Sequence, residues 1–100
     1  MDVDDIMKRI MNREDTEGLI VMNQEGIPVK SSLEPSQTVH YVSHVNKLIE
    51  IARSGLRGID ANDQLKVLRM RTMKNEIMVV PDNNYTLVVI QKKDGKKEMY

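Results

Sequence analysis

The chain contains no cysteine, no phenylalanine and no tryptophan, and these absences narrow the classes of protein it can belong to. Without cysteine there are no disulfides and no thiol chemistry, which fits a reducing compartment. Three tyrosines are the only aromatic residues, so the eight methionines must help Ile, Leu and Val to fill the core. The longest uninterrupted apolar runs have four residues, as in LIVM and LVVI, and are far too short to span a membrane.

The charge balance also excludes some functions. Fifteen basic and fifteen acidic residues give a formal net charge of zero, which argues against a general electrostatic affinity for nucleic acid. The first ten residues, MDVDDIMKRI, are rich in acidic residues and contain no apolar run of the kind that a secretory signal needs. With 100 residues, the chain is expected to form one soluble intracellular domain.

The spacing of apolar residues predicts an amphipathic helix over residues 2–14. Its apolar side chains recur every three or four positions: Val3, Ile6, Met7, Ile10 and Met11. Asp2 is expected to cap this helix, and Asp4 and Asp5 suit the positive end of the helix dipole.

A second, longer helix is predicted after Glu34-Pro35, with Ser36 as its N-cap. One apolar stripe along it consists of Val39, Val42, Val45, Ile49, Ala52 and Leu56, and a second stripe beside it consists of Tyr41, Leu48 and Ile51. The two stripes together cover roughly half of the circumference, which is more than a helix resting on one sheet usually needs. Gly55 and Gly58 are predicted to mark the C-terminal end of this helix.

Five strands are predicted, at residues 18–23, 27–33, 65–72, 76–81 and 85–91. The first, fourth and fifth are almost continuously apolar, so each is expected to be covered on both faces of the sheet. The second contains Pro28, which cannot donate a ladder hydrogen bond, and the third mixes apolar with charged residues. Both are therefore expected at the edges of the sheet. Gly26, in the turn between the first two strands, is expected to adopt a positive φ angle.

The predicted order of elements is α-β-β-α-β-β-β. Because the connections between strands are short, the sheet is expected to be mainly antiparallel. One helix on each face gives a single three-layer α/β domain of the α+β type, with five strands. We expect this domain to cover residues 1–91 and the charged residues 92–100 to form a flexible tail.

A search for catalytic or metal-binding motifs favours a protein without enzymatic activity. His40 and His44 are four residues apart on the second helix and could share a metal ion. The glutamate of an HExxH motif is absent, and no acidic or cysteine ligand lies nearby in the sequence. No serine lies in a GxSxG motif, and GLRGID lacks the phosphate-loop pattern. We therefore predict no catalytic residues, no cofactor and no metal site.

Arg69 and Arg71 alternate on one face of the third strand, and two interpretations of them remain open. They could protect an edge strand from aggregation. Alternatively, the strand pairs with its own copy across a two-fold axis, and the arginines pair with carboxylates there or on a partner. The second apolar stripe of the long helix favours this dimer, because an apolar flank beside an edge strand is typical of an isologous interface.

Three stretches are the most specific in the chain: NQEGIPVKSS, ARSGLRGID and LRMRTMKNEIMVVPD. Over residues 1–91 the sequence closely resembles the roadblock family of dynein light chains. The resemblance implies homodimers, or heterodimers with a paralogue, in which the long helix and the third strand pair so that two sheets become continuous. It also implies a non-catalytic scaffold that binds two segments of the dynein intermediate chain, in a microtubule-associated motor complex of the cytoplasm or cilium.

The resemblance also implies which residues form the two surfaces of such a scaffold. The implied dimer surface consists of Tyr41, His44, Val45, Leu48, Ile51, Leu68, Arg69, Met70 and Arg71. The implied partner surface lies on the face of the joined sheet near the first helix, around Ile6, Ile10, Val67 and Arg69. The expected mode of recognition is an amphipathic helix laid on an apolar surface.

A second interpretation comes from remote relatives of the same family, which scaffold or regulate small GTPases. Such a role requires an arginine or asparagine directed at the nucleotide. Arg53 and Arg57, on the polar face of the long helix, are the only candidates, and solvation of that face explains them better.

Overall fold

The structure, a computed structural model, describes residues 3–93 and contains the predicted order of helices and strands. The elements are α1 (Val3–Met11), β1 (Thr16–Asn23), β2 (Pro28–Ser31), α2 (Pro35–Ile59), β3 (Leu68–Arg71), β4 (Asn75–Pro81) and β5 (Tyr85–Lys92). The predicted cap Asp2 and most of the predicted tail lie outside the described residues. Strand β5 continues to Lys92, one residue past the predicted end of the last strand.

The strands form one five-stranded sheet in the order β2-β1-β5-β4-β3, and every neighbouring pair is antiparallel. The predicted positions of the strands are confirmed, since β2 and β3 lie at the edges and the three apolar strands lie inside. Leu19, Ile20 and Val21 are completely buried, which accounts for the unbroken apolar run of β1. Gly26 has a φ angle of +82°, as its place in the turn between β1 and β2 predicts.

The two helices cover opposite faces of this sheet. Val42, Val45 and Ile49 of α2 pack on a cluster that includes Ile20, Met22, Val79 and Val88. Alternation directs Leu19 and Val21 to the other face, where α1 packs on β1. The three predicted layers are therefore present, and both faces of β1 are covered by helices.

Some predicted boundaries are wrong by several residues. Helix α1 ends at Met11 and not at residue 14, because the following residues Asn12, Arg13 and Glu14 are exposed and have no apolar side chain to bury. Strand β3 begins at Leu68 and not at residue 65. Leu65 nevertheless packs against the core, so its apolar character serves packing and not strand pairing.

The start of α2 differs from the prediction that Ser36 is its N-cap. Glu34 is the N-cap residue and makes no side-chain cap hydrogen bond, while Pro35 is the first helical residue. Proline suits this position because its fixed φ angle is helical and its missing N–H would have no partner there. The buried Thr38 donates from Oγ1 to the carbonyl of Glu34 at 3.0 Å and so strengthens this first turn.

The end of α2 and the width of its buried stripe also differ from the prediction. Gly55 and Gly58 lie inside the helix, which ends at Ile59 and is followed by Asp60 in an extended conformation. An extended cap needs no left-handed residue, so neither glycine is required to stop the helix. Val39 is 63% exposed and does not belong to the core stripe, because it lies on the flank of the helix and not over the sheet.

No helix among the described residues has both the length and the apolar character required to cross a membrane.

Candidate dimer and partner surfaces

One flank of α2 carries apolar side chains that the sheet does not cover. We call Tyr41, His44, Leu48 and Ile51 the helix flank, since they recur every three or four residues along one side of the helix. Tyr41 and Leu48 are half-buried, His44 is exposed, and Ile51 is 69% exposed. This arrangement confirms that α2 has more apolar surface than its contact with the sheet uses.

Strand β3 is an open edge of the sheet. Its residues pair with β4 in the register Leu68–Val79, Arg69–Met78, Met70–Ile77 and Arg71–Glu76. On its other side no strand from the described part of the chain is present. The outward backbone groups of β3 are therefore available to a strand from another chain.

The helix flank and the apolar side chains of β3 lie on the same face of the sheet. Tyr41, Leu68 and Ile77 all pack against the core cluster between α2 and the sheet. Register and alternation place Met70 on the same face as Leu68. Leu68 and Met70 therefore lie on the face of the sheet that α2 covers.

Val45 differs from the other residues expected in the dimer surface. Its side chain is only 3% exposed and belongs to the core of the single chain. It can support the helix flank from beneath, but it has almost no surface to offer to a second copy.

A second candidate surface lies on the face of the sheet on which α1 packs, and within residues 3–93 α1 packs mainly on β1. We call Val67, Arg69, Met78, Val80 and Leu87 the open sheet face. Met78 pairs with Arg69, and Leu87 pairs with both Val80 and the α1-side residue Val21, which places Arg69, Met78, Val80 and Leu87 on the side of α1. Val67 directly precedes β3 and has no strand partner in this register. Val67 is exposed, and Met78, Val80 and Leu87 are half-buried. Ile6 and Ile10 of α1 are also half-buried and retain some accessible surface.

Both arginines of β3 pair with one carboxylate of their own chain. Arg69 Nε lies 3.0 Å from Glu76 Oε1, and Arg71 Nη2 lies 3.6 Å from Glu76 Oε2. Arg69 also donates from Nη2 to the sulfur of Met78 at 3.4 Å. One interpretation of the sequence pairs these arginines with carboxylates of a second copy or of a partner. Glu76 of β4 supplies a carboxylate within the same chain and holds both arginines along the open sheet face.

The rings of the two histidines of α2 contact each other. The ring centroids of His40 and His44 are 4.9 Å apart, in an edge-to-face arrangement. Within residues 3–93, no three His, Cys, Asp or Glu side chains come together as a set of metal ligands.

Sequence reasoning missed two exposed apolar residues near these surfaces. Ile59, the last residue of α2, is 84% exposed and continues the helix flank by helical spacing from Ile51 and Gly55. Met73 is 90% exposed in the turn between β3 and β4. Extending the second apolar stripe past Gly55 and Gly58, the predicted end of the helix, would have included Ile59.

The geometry defines a small α+β domain whose candidate sites are an edge strand, a helix flank and an open sheet face. A family model described as the Roadblock/LC7 domain matches residues 2–92. The chain belongs to the Roadblock/LC7 family, and the family resemblance found in the sequence is confirmed. Domains of this family are small scaffold or regulatory domains, are generally non-catalytic, and commonly dimerise and bind partners.

The fold is also found among solved structures. A crystal structure of a Roadblock/LC7 domain from Streptomyces avermitilis aligns with a TM-score of 0.81 at 13% sequence identity. The alignment covers 94% of this chain and 81% of that chain. At this level of identity the similarity shows that the two chains share a fold.

Proposed function

We propose that this chain is a dynein light chain that dimerises and holds segments of the dynein intermediate chain, in support of motor assembly and cargo attachment during microtubule-based transport. This proposal is supported by the apolar helix flank, which the sheet does not cover, together with the open edge of β3. Such a surface suits a second copy of the chain better than a small substrate. The proposed location is the microtubule-associated motor complex of the cytoplasm or cilium.

In the proposed dimer, β3 of each copy pairs with β3 of the other across a two-fold axis. Two five-stranded sheets then become continuous, and the unpaired backbone groups of both edges are satisfied. The helix flanks meet on the same side, so that Leu48 and Ile51 lose their contact with water. Burial of apolar area is the main favourable term in such an association, at about 25 cal/mol per Å².

The proposed partner surface is the open sheet face together with Ile6 and Ile10. Its half-buried Met78, Val80 and Leu87 offer apolar contact, and methionine adapts readily to different partner side chains. Glu76 holds Arg69 and Arg71 along the rim. This combination favours an amphipathic helix whose apolar stripe lies on the sheet and whose acidic residues approach the arginines.

A dimer presents this surface twice. If two intermediate-chain segments belong to one assembly, docking of the first raises the effective concentration of the second. The gain in overall affinity from such bivalency is about 10²–10⁴-fold over a single site. A scaffold of this kind needs no catalytic residue, because its product is the assembled pair of partner chains.

Isothermal titration calorimetry with an intermediate-chain peptide tests this proposal. We expect one peptide per chain and a negative heat-capacity change from apolar burial. Met78→Glu should abolish binding, whereas Lys47→Glu, on the opposite side of the sheet, should leave it unchanged. Failure of the peptide to bind the purified dimer would contradict the light-chain proposal.

One observation favours the second candidate, a scaffold or regulator of a small GTPase. Arg53 and Arg57 are exposed, and both line a cavity at the C-terminal end of α2. A turnover assay over a panel of small GTPases, with and without the protein, tests this role. Acceleration that Arg53→Ala removes would support it, and unchanged turnover would reject it.

A further inference from the structure

A groove runs along the side of α2 that faces away from the helix flank. It consists of two adjacent cavities, of about 310 and 420 Å³, which share Arg53, Asp82 and Asn83. The first lies between the end of α2, residues 61–66 and the turn between β4 and β5. The second lies between the middle of α2 and the turns that follow β1 and β4. We call the two cavities together the α2 groove.

The α2 groove and the helix flank are on roughly opposite sides of α2. At about 100° per residue, Asn46, Arg53 and Arg57 lie on one side of the helix, and Leu48 and Ile51 lie on the other. A second copy that covers the helix flank therefore leaves the α2 groove accessible. A dimer would present the groove twice.

Three cations at one end of the groove have no charged or polar partner within residues 3–93. The side chains of Arg53, Arg57 and Lys66 line the first cavity and make no hydrogen bond or ion pair with the described part of the chain. Between them lies apolar surface from the half-buried side chains of Leu56, Leu65 and Pro81. An occupant of this end needs negative charge and at least one apolar side chain.

Two carboxylates also line this end, but each already accepts a hydrogen bond from the backbone N–H of the next residue in its turn. Asp63 Oδ1 accepts from the backbone N–H of Gln64 at 2.8 Å. Asp82 Oδ1 accepts from the backbone N–H of Asn83 at 2.8 Å. Since three basic side chains face two acidic ones, the cavity remains positive overall.

The other end of the groove carries neutral amides. Gln24, Asn46 and Asn83 line the second cavity. The side chain of Asn46 makes no hydrogen bond to any residue that the structure describes. Side-chain amides both donate and accept hydrogen bonds. They therefore match the N–H and C=O groups of an extended peptide backbone better than they match a charged group.

We propose that the α2 groove binds an extended acidic segment of a partner protein. From Asn46 to Arg57 the helix rises by about 16 Å, at 1.5 Å per residue. An extended chain rises about 3.3 Å per residue, so roughly five residues fill this length. Carboxylates of the segment face Arg53, Arg57 and Lys66, an apolar side chain rests on Leu56 and Leu65, and the backbone reaches Asn46. This site is separate from the dimer and intermediate-chain surfaces and does not depend on them.

The test is an NMR titration of the ¹⁵N-labelled protein with a capped pentapeptide that carries three carboxylates and two leucines. We expect shift changes confined to the α2 groove, with affinity that falls as salt increases. The same peptide with amides in place of the carboxylates should bind at least about tenfold more weakly, because three charge pairs are lost at once.

Charge-reversal variants locate the site. Arg53→Glu should weaken binding about tenfold or more, and Lys47→Glu, the same kind of change on the polar face of α2, should not affect it. Lys66 lies outside every helix and strand, so Lys66→Gln should not disturb the fold. It provides a second variant if Arg53→Glu misfolds. Equal binding of the amide peptide, no binding at millimolar peptide, or insensitivity to Lys66→Gln would overturn the proposal. It would also be overturned if inorganic phosphate alone produced the same shifts at the same affinity, since the groove would then be a simple anion site.

Discussion

Gly18 lies so close to Leu33 that a Cβ atom at Gly18 would stand 2.7 Å from Leu33 Cδ2 and 3.3 Å from Leu33 Cγ. Gly18 is buried near the start of β1, and Leu33 lies between the edge strand β2 and α2. The first distance is shorter than real Cβ contacts, and the second is tighter than most of them. The close approach explains why glycine occurs here, although its φ angle is not positive.

Gly18→Ala should therefore destabilise the protein by about 1 kcal/mol, at the low end of the range for overpacking, because Leu33 can partly move aside. Urea unfolding at fixed protein concentration measures the change. Gly58→Ala is the matched control, since Gly58 lies inside α2 with nothing within 4 Å of its Cβ position. It should stabilise the protein by about 0.5–1 kcal/mol through helix propensity. In a Leu33→Ala background, the cost of Gly18→Ala should disappear; an unchanged cost would show that Leu33 is not its cause.

Thr38 and Thr16 offer a paired test of buried hydroxyl groups. The Thr38 hydroxyl lies 2.7 Å from Ser31 Oγ and 3.0 Å from the Glu34 carbonyl, so it joins β2 to the first turn of α2. Thr16 Oγ1 is buried and has no hydrogen-bond partner within residues 3–93. Thr38→Val should cost about 1–2 kcal/mol, since it removes bonds and leaves polar groups unsatisfied. Thr16→Val should be neutral or slightly stabilising. Equal losses at both sites in urea unfolding would contradict this account.

The fold was largely predictable because burial follows directly from composition in this chain. The runs at Leu19–Met22 and Leu87–Ile90 have no polar residue, and the two-sided cover that they need determines the interior of the sheet. Pro28 predicted that β2 lies at an edge, because proline cannot donate a hydrogen bond to a neighbouring strand. The apolar runs and the proline can each be read from a short stretch of sequence, without knowing which distant residues it contacts.

The details that could not be predicted depend on competition between neighbours or on distant contacts. Ser36 is a good N-cap in isolation, but Pro35 occupies the first helical position and moves the cap to Glu34. The pairing of Arg69 and Arg71 with Glu76 depends on the register of β3 and β4. The α2 groove brings together residues from four separate segments, and no local pattern in the sequence indicates that they meet.

Glu76 should contribute to stability through the two arginines that it holds. Its side chain is 14% exposed, so the ion pair is partly shielded from water, while Arg69 is 59% exposed and is screened. We expect Glu76→Gln to lower the free energy of unfolding by about 0.5–1 kcal/mol, with a smaller difference at high salt. Glu50→Gln, on the exposed face of α2, should have no measurable effect. A loss that does not depend on salt would show that Glu76 acts through packing and not through charge.

Leu48→Asp tests the proposed dimer most directly. Leu48 is half-buried in the single chain and lies outside its core cluster, so the protomer should still fold. A carboxylate at this position would be buried against the second copy without a partner, which costs several kcal/mol. Sedimentation equilibrium should give about 23 kDa for the wild type, twice the 11.5 kDa of one chain, and a monomer for the variant. Ser54→Asp, which places the same charge on the polar face of α2, should remain dimeric, and circular dichroism should confirm that both variants fold.

A dimeric Leu48→Asp variant would mean that the helix flank is not the interface. A monomeric wild type would remove the second site on which bivalent binding depends.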